Sequence, residues 1–178
     1  MLQRIQPEHG GFLEAAPLTS FVALSLSAAG CEQDPVLRKA IQFLHASARP
    51  DGSWPIYGTS RVLIALNQVQ PGWTMAQRGV DWLLTAQNED DGWGGDRGVL
   101  SSIEETSLAI AALSGRGEEL ARAAASRASR KLLDWIADGG QCPPSPIGLY
   151  FARLWYFERL YPLISAADAL RSADACYH

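Results

Sequence analysis

The chain has 178 residues, 47% hydrophobic and 19% charged, which is enough apolar material for one core-bearing domain and too much for a disordered chain. Its 15 basic and 19 acidic residues are dispersed along the sequence for a formal net charge of -4, so no basic stripe offers phosphates a surface and nucleic acid is excluded as a partner. Three widely spaced cysteines, Cys31, Cys142 and Cys176, make neither a zinc cluster nor a disulfide scaffold, and point to free thiols in a reducing, cytoplasmic compartment.

In chain order, a loop over Gln6 to Phe12 precedes a helix whose first turn suits Pro17 and whose start is marked by Thr19-Ser20. Its apolar run, Phe21 to Leu26, is expected to stop at Gly30. The next helix has Asp34 as cap and Pro35 at its first position, with Val36, Leu37, Ala40, Ile41, Phe43 and Leu44 as buried stripe, and should end before Pro50. A second loop, Ser47 to Trp54, leads into a helix marked by Thr59-Ser60. Thr74 with Gln77 reads as a capping box for a helix carrying Val80, Trp82, Leu83 and Leu84. A third loop, Gln87 to Trp93, is followed by Ser102 with Glu105, the same device for a helix of Leu108, Ile110 and Leu113 marked by Thr106-Ser107. A longer helix is predicted from about Glu118 to Asp138. An aromatic cluster closes the pattern: Tyr150, Phe151, Trp155 and Tyr156, then Phe157 and Tyr161, with Tyr150, Phe151 and Trp155 at helical spacing near one face.

Three phased copies of one unit emerge from this. Each loop has a glycine five residues after its first position, counting from Gln6, Ser47 and Gln87, and the helix starts fall 40 and 47 residues apart, from Thr19 to Thr59 to Thr106. That is the size of a helix-pair repeat. The first helix of each pair is apolar nearly all round and the second is amphipathic, so two layers of helices follow, an inner and an outer. Stacked pairs give either an open solenoid or a closed α/α ring, and periodicity leaves both open.

Gln87-Asn88-Glu89-Asp90-Asp91-Gly92-Trp93-Gly94-Gly95 resembles the glutamine-tryptophan repeat of squalene-hopene cyclases, which are class II terpene cyclases, and of related prenyltransferase-type toroids. Asp51-Gly52-Ser53-Trp54 with Tyr57-Gly58-Thr59 resembles the family segment leading into an inner helix, and Pro146 to Tyr156 resembles a carboxy-terminal segment of bacterial members. The resemblance covers roughly the whole chain. It implies an all-α, α/α-toroid domain over 1–178, with Gln6 and Phe12, Trp54, and Gln87 and Trp93 as structural repeat residues that tie outer helices together. Gln87 with Trp93 is the complete pair; Phe12 lacks the indole donor, and Ser47 stands where an amide is expected.

The resemblance also implies a cyclase that protonates an alkene to start carbocation cyclisation of a linear polyisoprenoid, using an aspartate in an Asp-x-Asp-Asp run. No such run is present. The weak acid candidates are Asp91, in a repeat loop, and Glu104 and Glu105, in a helix's first turn where capping and the helix dipole favour carboxylates. Tyr150, Phe151, Trp155 and Tyr156 are candidates for a cavity lining whose π faces stabilise cationic charge, the alternative being plain core. His9, His45 and His178 have no second ligand at metal spacing, and no phosphate or dinucleotide loop occurs, so neither metal nor cofactor is expected.

At ~40 residues per helix pair the chain holds about four pairs, against roughly six for a closed toroid. The expectation is an incomplete ring around an apolar isoprenoid ligand, completed by a homodimer partner or by a second chain that could also carry the acid, or else curled on itself around a smaller core. The rival reading is a non-catalytic isoprenoid-binding or scaffold module, or a degenerate fragment. No apolar run reaches the ~18 residues of a membrane span, Met1-Leu2-Gln3-Arg4 lacks a secretory core, and peripheral membrane contact has one candidate segment, Leu149 to Leu163.

Overall fold

The structure, a computed structural model, describes residues 1–13, 15–54, 58–138, 144, 147–149 and 154–174. It is helical apart from one hairpin: α1 (Leu2–Ile5), α2 (Ala16–Ala28), α3 (Pro35–Ala46), α4 (Gly58–Val69), α5 (Thr74–Ala86), α6 (Ile103–Ser114), α7 (Glu119–Ala137), β1 (Ile147–Leu149), β2 (Leu154–Tyr156) and α8 (Leu160–Asp174). No described helix is long and apolar enough to cross a membrane. The chain divides into two compact units, Met1–Thr85 and Ala86–His178.

In the first unit α2 packs on α3 and α4. Its buried positions, Ala16, Thr19, Ser20 and Ala23, are all small, so neighbouring helices approach closely. Two clusters fill the space this opens. Ala16, Leu44, Trp54, Val62 and Leu66 form one, with Phe43, Val69 and Trp73 packed against it; Ala23, Leu37 and Ala40 form the other. Trp54 is 1% exposed and its indole Nε1–H donates to the Leu44 carbonyl at 2.9 Å, so the largest core side chain also satisfies its one polar atom. In the second unit α6 packs on α7 and α8, and the buried residues of α7 and α8 are chiefly alanines: Ala121, Ala124, Ala125 and Ala128, and Ala166, Ala169 and Ala173.

Helix punctuation follows local chemistry. Asp34 caps α3 by accepting from Val36 N at 2.8 Å, and Ser102 caps α6 by accepting from Glu105 N at 3.1 Å. Gly30 follows α2 with φ +72°, as a left-handed helix stop requires. The helices do not begin at the Thr-Ser pairs, however: Thr19, Thr59 and Thr106 lie inside the first turns of α2, α4 and α6. Their hydroxyls have another task, described below.

The aromatic segment also departs from expectation. Helical spacing grouped Trp155 with Tyr150 and Phe151 on one face, whereas Trp155 lies in β2, which pairs antiparallel with β1, Ile147 with Tyr156, Gly148 with Trp155 and Leu149 with Leu154. A short run such as Leu154-Trp155-Tyr156 suits a strand as well as a helix. The helix starts only at α8, with Pro162 tolerated in its first turn.

One buried polar contact is left incomplete. The His45 ring stacks on Trp73, centroids 3.8 Å apart and planes 11° apart, and Trp73 in turn tilts against Trp54 at 6.3 Å. His45 Nε2 and Gln70 Oε1 are both buried without a partner of hydrogen-bonding geometry. Burial lowers the His45 pKa from its ordinary 6.5, and the nearby Gln70 side chain offsets this only in part. The neutral imidazole is therefore the folded form, and its contribution to stability is complete above pH 6.5 and lost as pH falls from there through the lowered value. The urea midpoint should drop between pH 7 and pH 5, and His45→Gln should flatten that part of the profile; an unchanged profile in the variant contradicts the assignment.

Candidate functional site

The three loops share a set of turn hydrogen bonds. At the second position a carbonyl accepts from the backbone N–H three residues on: Pro7 from Gly10, Arg49 from Gly52 and Asn88 from Asp91, at 2.9, 2.9 and 3.0 Å. At the fourth position a side chain accepts from the N–H two residues later: His9 Nδ1 from Gly11 at 3.1 Å, Asp51 Oδ1 from Ser53 at 3.0 Å and Asp90 Oδ1 from Gly92 at 3.1 Å. The fifth position has positive φ throughout, +89° at Gly10, +84° at Gly52 and +65° at Asp91.

Each loop is then fastened to the following helix by one threonine. Phe12 N–H donates to Thr19 Oγ1 at 2.9 Å, Trp54 N–H to Thr59 Oγ1 at 2.9 Å and Trp93 N–H to Thr106 Oγ1 at 3.0 Å. All six residues are buried. Each hydroxyl donates onward, Thr19 to the Ala15 carbonyl at 2.8 Å, Thr59 to Trp54 at 3.2 Å and Thr106 to Trp93 at 3.3 Å. These N–H groups are buried, so a side chain with both a donor and an acceptor is what closes the frame.

This geometry corrects the alignment of the second loop. Positive φ and the turn hydrogen bond equate Gly52 with Gly10 and Asp91, which places Ala48, not Ser47, opposite Gln6 and Gln87. The glycine taken as equivalent to Gly11 and Gly92 is one position early. Gly52 and Gly10 share a reason to be glycine besides φ: a methyl on Gly10 would strike the Lys39 carbonyl in α3, and one on Gly52 would strike Arg78 in α5.

The glutamines bond as a pair. Gln6 Nε2 donates to Gly10 O at 2.9 Å within its loop and to Val36 O at 3.0 Å in α3; Gln87 Nε2 donates to Asp91 O at 3.0 Å and to Ala124 O at 3.4 Å in α7. One amide thus joins a loop to the outer helix that follows it. In the third loop α7 adds charge: Arg127 donates to Gln87 Oε1 at 2.7 Å and to Asp91 Oδ1 at 2.8 Å, and Lys131 lies 3.4 Å from Asp90 Oδ2. Arg127 and Asp91 are each more than two-fifths exposed, so this pair contributes little beyond orientation.

The acid candidates fall on this frame. Asp91 is the left-handed residue of the third loop and is paired with Arg127. Burial works upward on the pKa of neighbouring Asp90, but hydrogen bonds from Ser101 and Gly92 and the Lys131 charge outweigh it and hold the carboxyl below its usual range. A carboxyl held there carries no proton to give at neutral pH. Glu104 and Glu105 occupy the first turn of α6, half-buried, with Glu105 N–H bonded to the Ser102 cap. Ser101 Oγ donates to Asp90 Oδ1 at 2.7 Å, joining that helix start to the loop. Among the described residues no group of three or more His, Cys, Asp or Glu is placed to hold a metal ion. Tyr150 and Phe151 lie outside the described residues, as do the side chains of Trp155 and Tyr156. Arg127, Lys131 and the side-chain acceptors His9, Asp51 and Asp90 were not singled out from the sequence; a polar residue recurring three places after each glutamine-equivalent position was the available signal.

The family model for the squalene-hopene cyclase C-terminal domain matches residues 13–114, more than half of the chain. A squalene--hopene cyclase of Zymomonas mobilis is 31% identical over 153 residues, covering 73% of this chain and 22% of that protein. A squalene--hopene cyclase of Bradyrhizobium diazoefficiens is 34% identical over 98 residues, 44% of this chain and 15% of its own length. An uncharacterised protein of Sinorhizobium fredii is 31% identical over 130 residues, 67% of this chain and 24% of its own. The chain thus spans about a quarter or less of the length of these relatives.

The corrected register has a measurable consequence. Ala48→Gln should restore the missing amide and raise stability by about 0.5–1.5 kcal/mol, the net worth of a hydrogen bond, whereas Ser47→Gln should not; chemical denaturation of both variants decides, and the reverse order would contradict the register.

Proposed function

The chain belongs to the squalene-hopene cyclase C-terminal domain family, and from that membership we propose that it forms part of the wall of an apolar cavity enclosing a linear polyisoprenoid during acid-initiated cyclisation. The observation that carries this reading is the match over residues 13–114, which spans the second and third loop frames and the helices α2, α4 and α6.

In this reading the frames are the rigid support and the chemistry lies on the helices they hold. Each threonine fixes where an inner helix begins, and so fixes which residues of that helix face the substrate. The aromatic residues Tyr150, Phe151, Trp155 and Tyr156 supply π faces for the migrating cation. The proton donor comes from outside this chain, because Asp91 is engaged with a guanidinium and Asp90 is held ionised. Glu104 and Glu105 act at the start of α6 as helix-terminal carboxylates.

Native mass spectrometry and incubation with squalene or shorter isoprenoids test this directly. The expected result is a retained apolar ligand and a ligand-dependent rise in melting temperature, with no cyclised product from the chain alone. Cyclised product from the chain alone would place the acid within it; no retained ligand and no thermal shift would count against the cavity itself.

A further inference from the structure

The side chains at the fourth position of the three loops are not chemically alike. Asp51 and Asp90 accept with a carboxyl oxygen, whereas the first loop uses His9, whose Nδ1 accepts from Gly11 N–H at 3.1 Å. A carboxyl group retains an acceptor oxygen in both protonation states. An imidazole does not: neutral, with its proton on Nε2, it accepts at Nδ1, and as imidazolium both nitrogens are donors. The donor is closely confined. Gly11 is buried, and a methyl on it would strike the Phe43 ring of α3, which also lies against the His9 imidazole with centroids 5.4 Å apart.

We propose that His9 makes the first loop a pH-sensitive catch, closed while the imidazole is neutral and opened when it is protonated, so that this loop, unlike the other two, lets go of its turn N–H in acid. In the closed form Nδ1 is bare and holds Gly11. Protonation sets two N–H groups face to face across that 3.1 Å, and the ring of an exposed residue is free to swing toward water, leaving the buried Gly11 N–H without its acceptor. Phe12 is the next residue. The turn that acid opens is therefore the one that aims Phe12 N–H at Thr19 Oγ1 in the first turn of α2. The bond contributes while the ring is neutral and is lost as the pH falls through the ring's titration.

The charged residues of the elements around His9 are Arg4 in α1, Glu8 in the loop and Lys39 in α3, one turn before Phe43, with its carbonyl against Gly10; all three are exposed. Guanidinium, carboxylate and ammonium groups ordinarily titrate outside the range of about pH 5 to 8 in which imidazole does. One other imidazole shares α3. His45 stacks on Trp73, and its protonation weakens the core around Trp54 and Trp73 rather than this turn. Ser53, whose N–H is the equivalent turn donor in the second loop of the same unit, therefore serves as the internal reference for that effect. The catch does not rest on the isoprenoid reading, so failure to bind isoprenoid leaves it standing.

Nitrogen-15 NMR with amide hydrogen exchange on the full chain tests it, using protection factors so that the intrinsic pH dependence of exchange is already removed. At pH 7 the His9 imidazole should be the Nε2–H tautomer with Nδ1 bare, and the Gly11 amide should be protected. Between pH 7 and pH 5 the protection of Gly11 should fall about tenfold more than that of Ser53, the equilibrium equivalent of one unmade hydrogen bond, with a midpoint that matches the titration of the His9 ring. In His9→Asp and in His9→Asn, which put an oxygen acceptor where the other loops have one, the ratio of Gly11 to Ser53 protection should stay constant over the same range. The side chain is exposed, so neither substitution removes core. An Nδ1–H tautomer or an unprotected Gly11 at pH 7 overturns the proposal. So does a wild-type ratio that fails to move with the ring, or a ratio that still moves in either variant.

Discussion

A backbone N–H that is buried away from water must find an acceptor or cost about 1–3 kcal/mol. In each repeat loop of this protein that N–H belongs to the aromatic residue, Phe12, Trp54 or Trp93, and the acceptor is a threonine hydroxyl in the first turn of the following helix. The rest of the repeat is arranged around this bond. The aromatic side chain is buried because its backbone is pinned there, and the loop needs a left-handed residue to turn back toward the helix. That residue is glycine wherever the next outer helix presses on it. The insertion between Trp93 and Thr106 shows how strongly the bond is held. Thirteen residues separate the pair there, against seven and five in the other loops, and the hydrogen bond is unchanged within 0.1 Å.

Much of this was legible in the sequence, and the failures have physical causes. Thr-Ser recurring at 40 and 47 residues marked the inner helices correctly, and Asp34 and Ser102 marked caps that form as expected. The helix boundaries were misjudged because threonine was read as a punctuation residue, whereas here it is a buried polar residue within the first turn. The second loop was aligned one residue early because glycine was counted as a letter; what the fold repeats is the left-handed backbone, which Asp91 shares with Gly10 and Gly52. At Leu154 to Tyr156 the periodicity of a short aromatic run could not separate strand from helix, and β2 resulted.

The candidate site was less legible than the fold, because the same residue types serve both. Asp90, Asp91, Glu104 and Glu105 sit where a carboxylate stabilises a turn or a helix start, and the geometry gives the first two structural employment. His9, which could have been read as a ligand, is a turn acceptor equivalent to Asp51 and Asp90. The loops thus fix where the helices that follow them begin.

Native-state hydrogen exchange at the amides of Phe12, Trp54 and Trp93 measures the central bond most directly. If the threonine frame is what the repeat depends on, all three amides exchange only through unfolding of the unit that contains them, as slowly as the middle of α4 or α6, and Thr106→Val speeds Trp93 far more than Thr106→Ser does. Rapid exchange of these amides in the wild-type protein, at the rate of exposed loop positions such as Leu100, would contradict it.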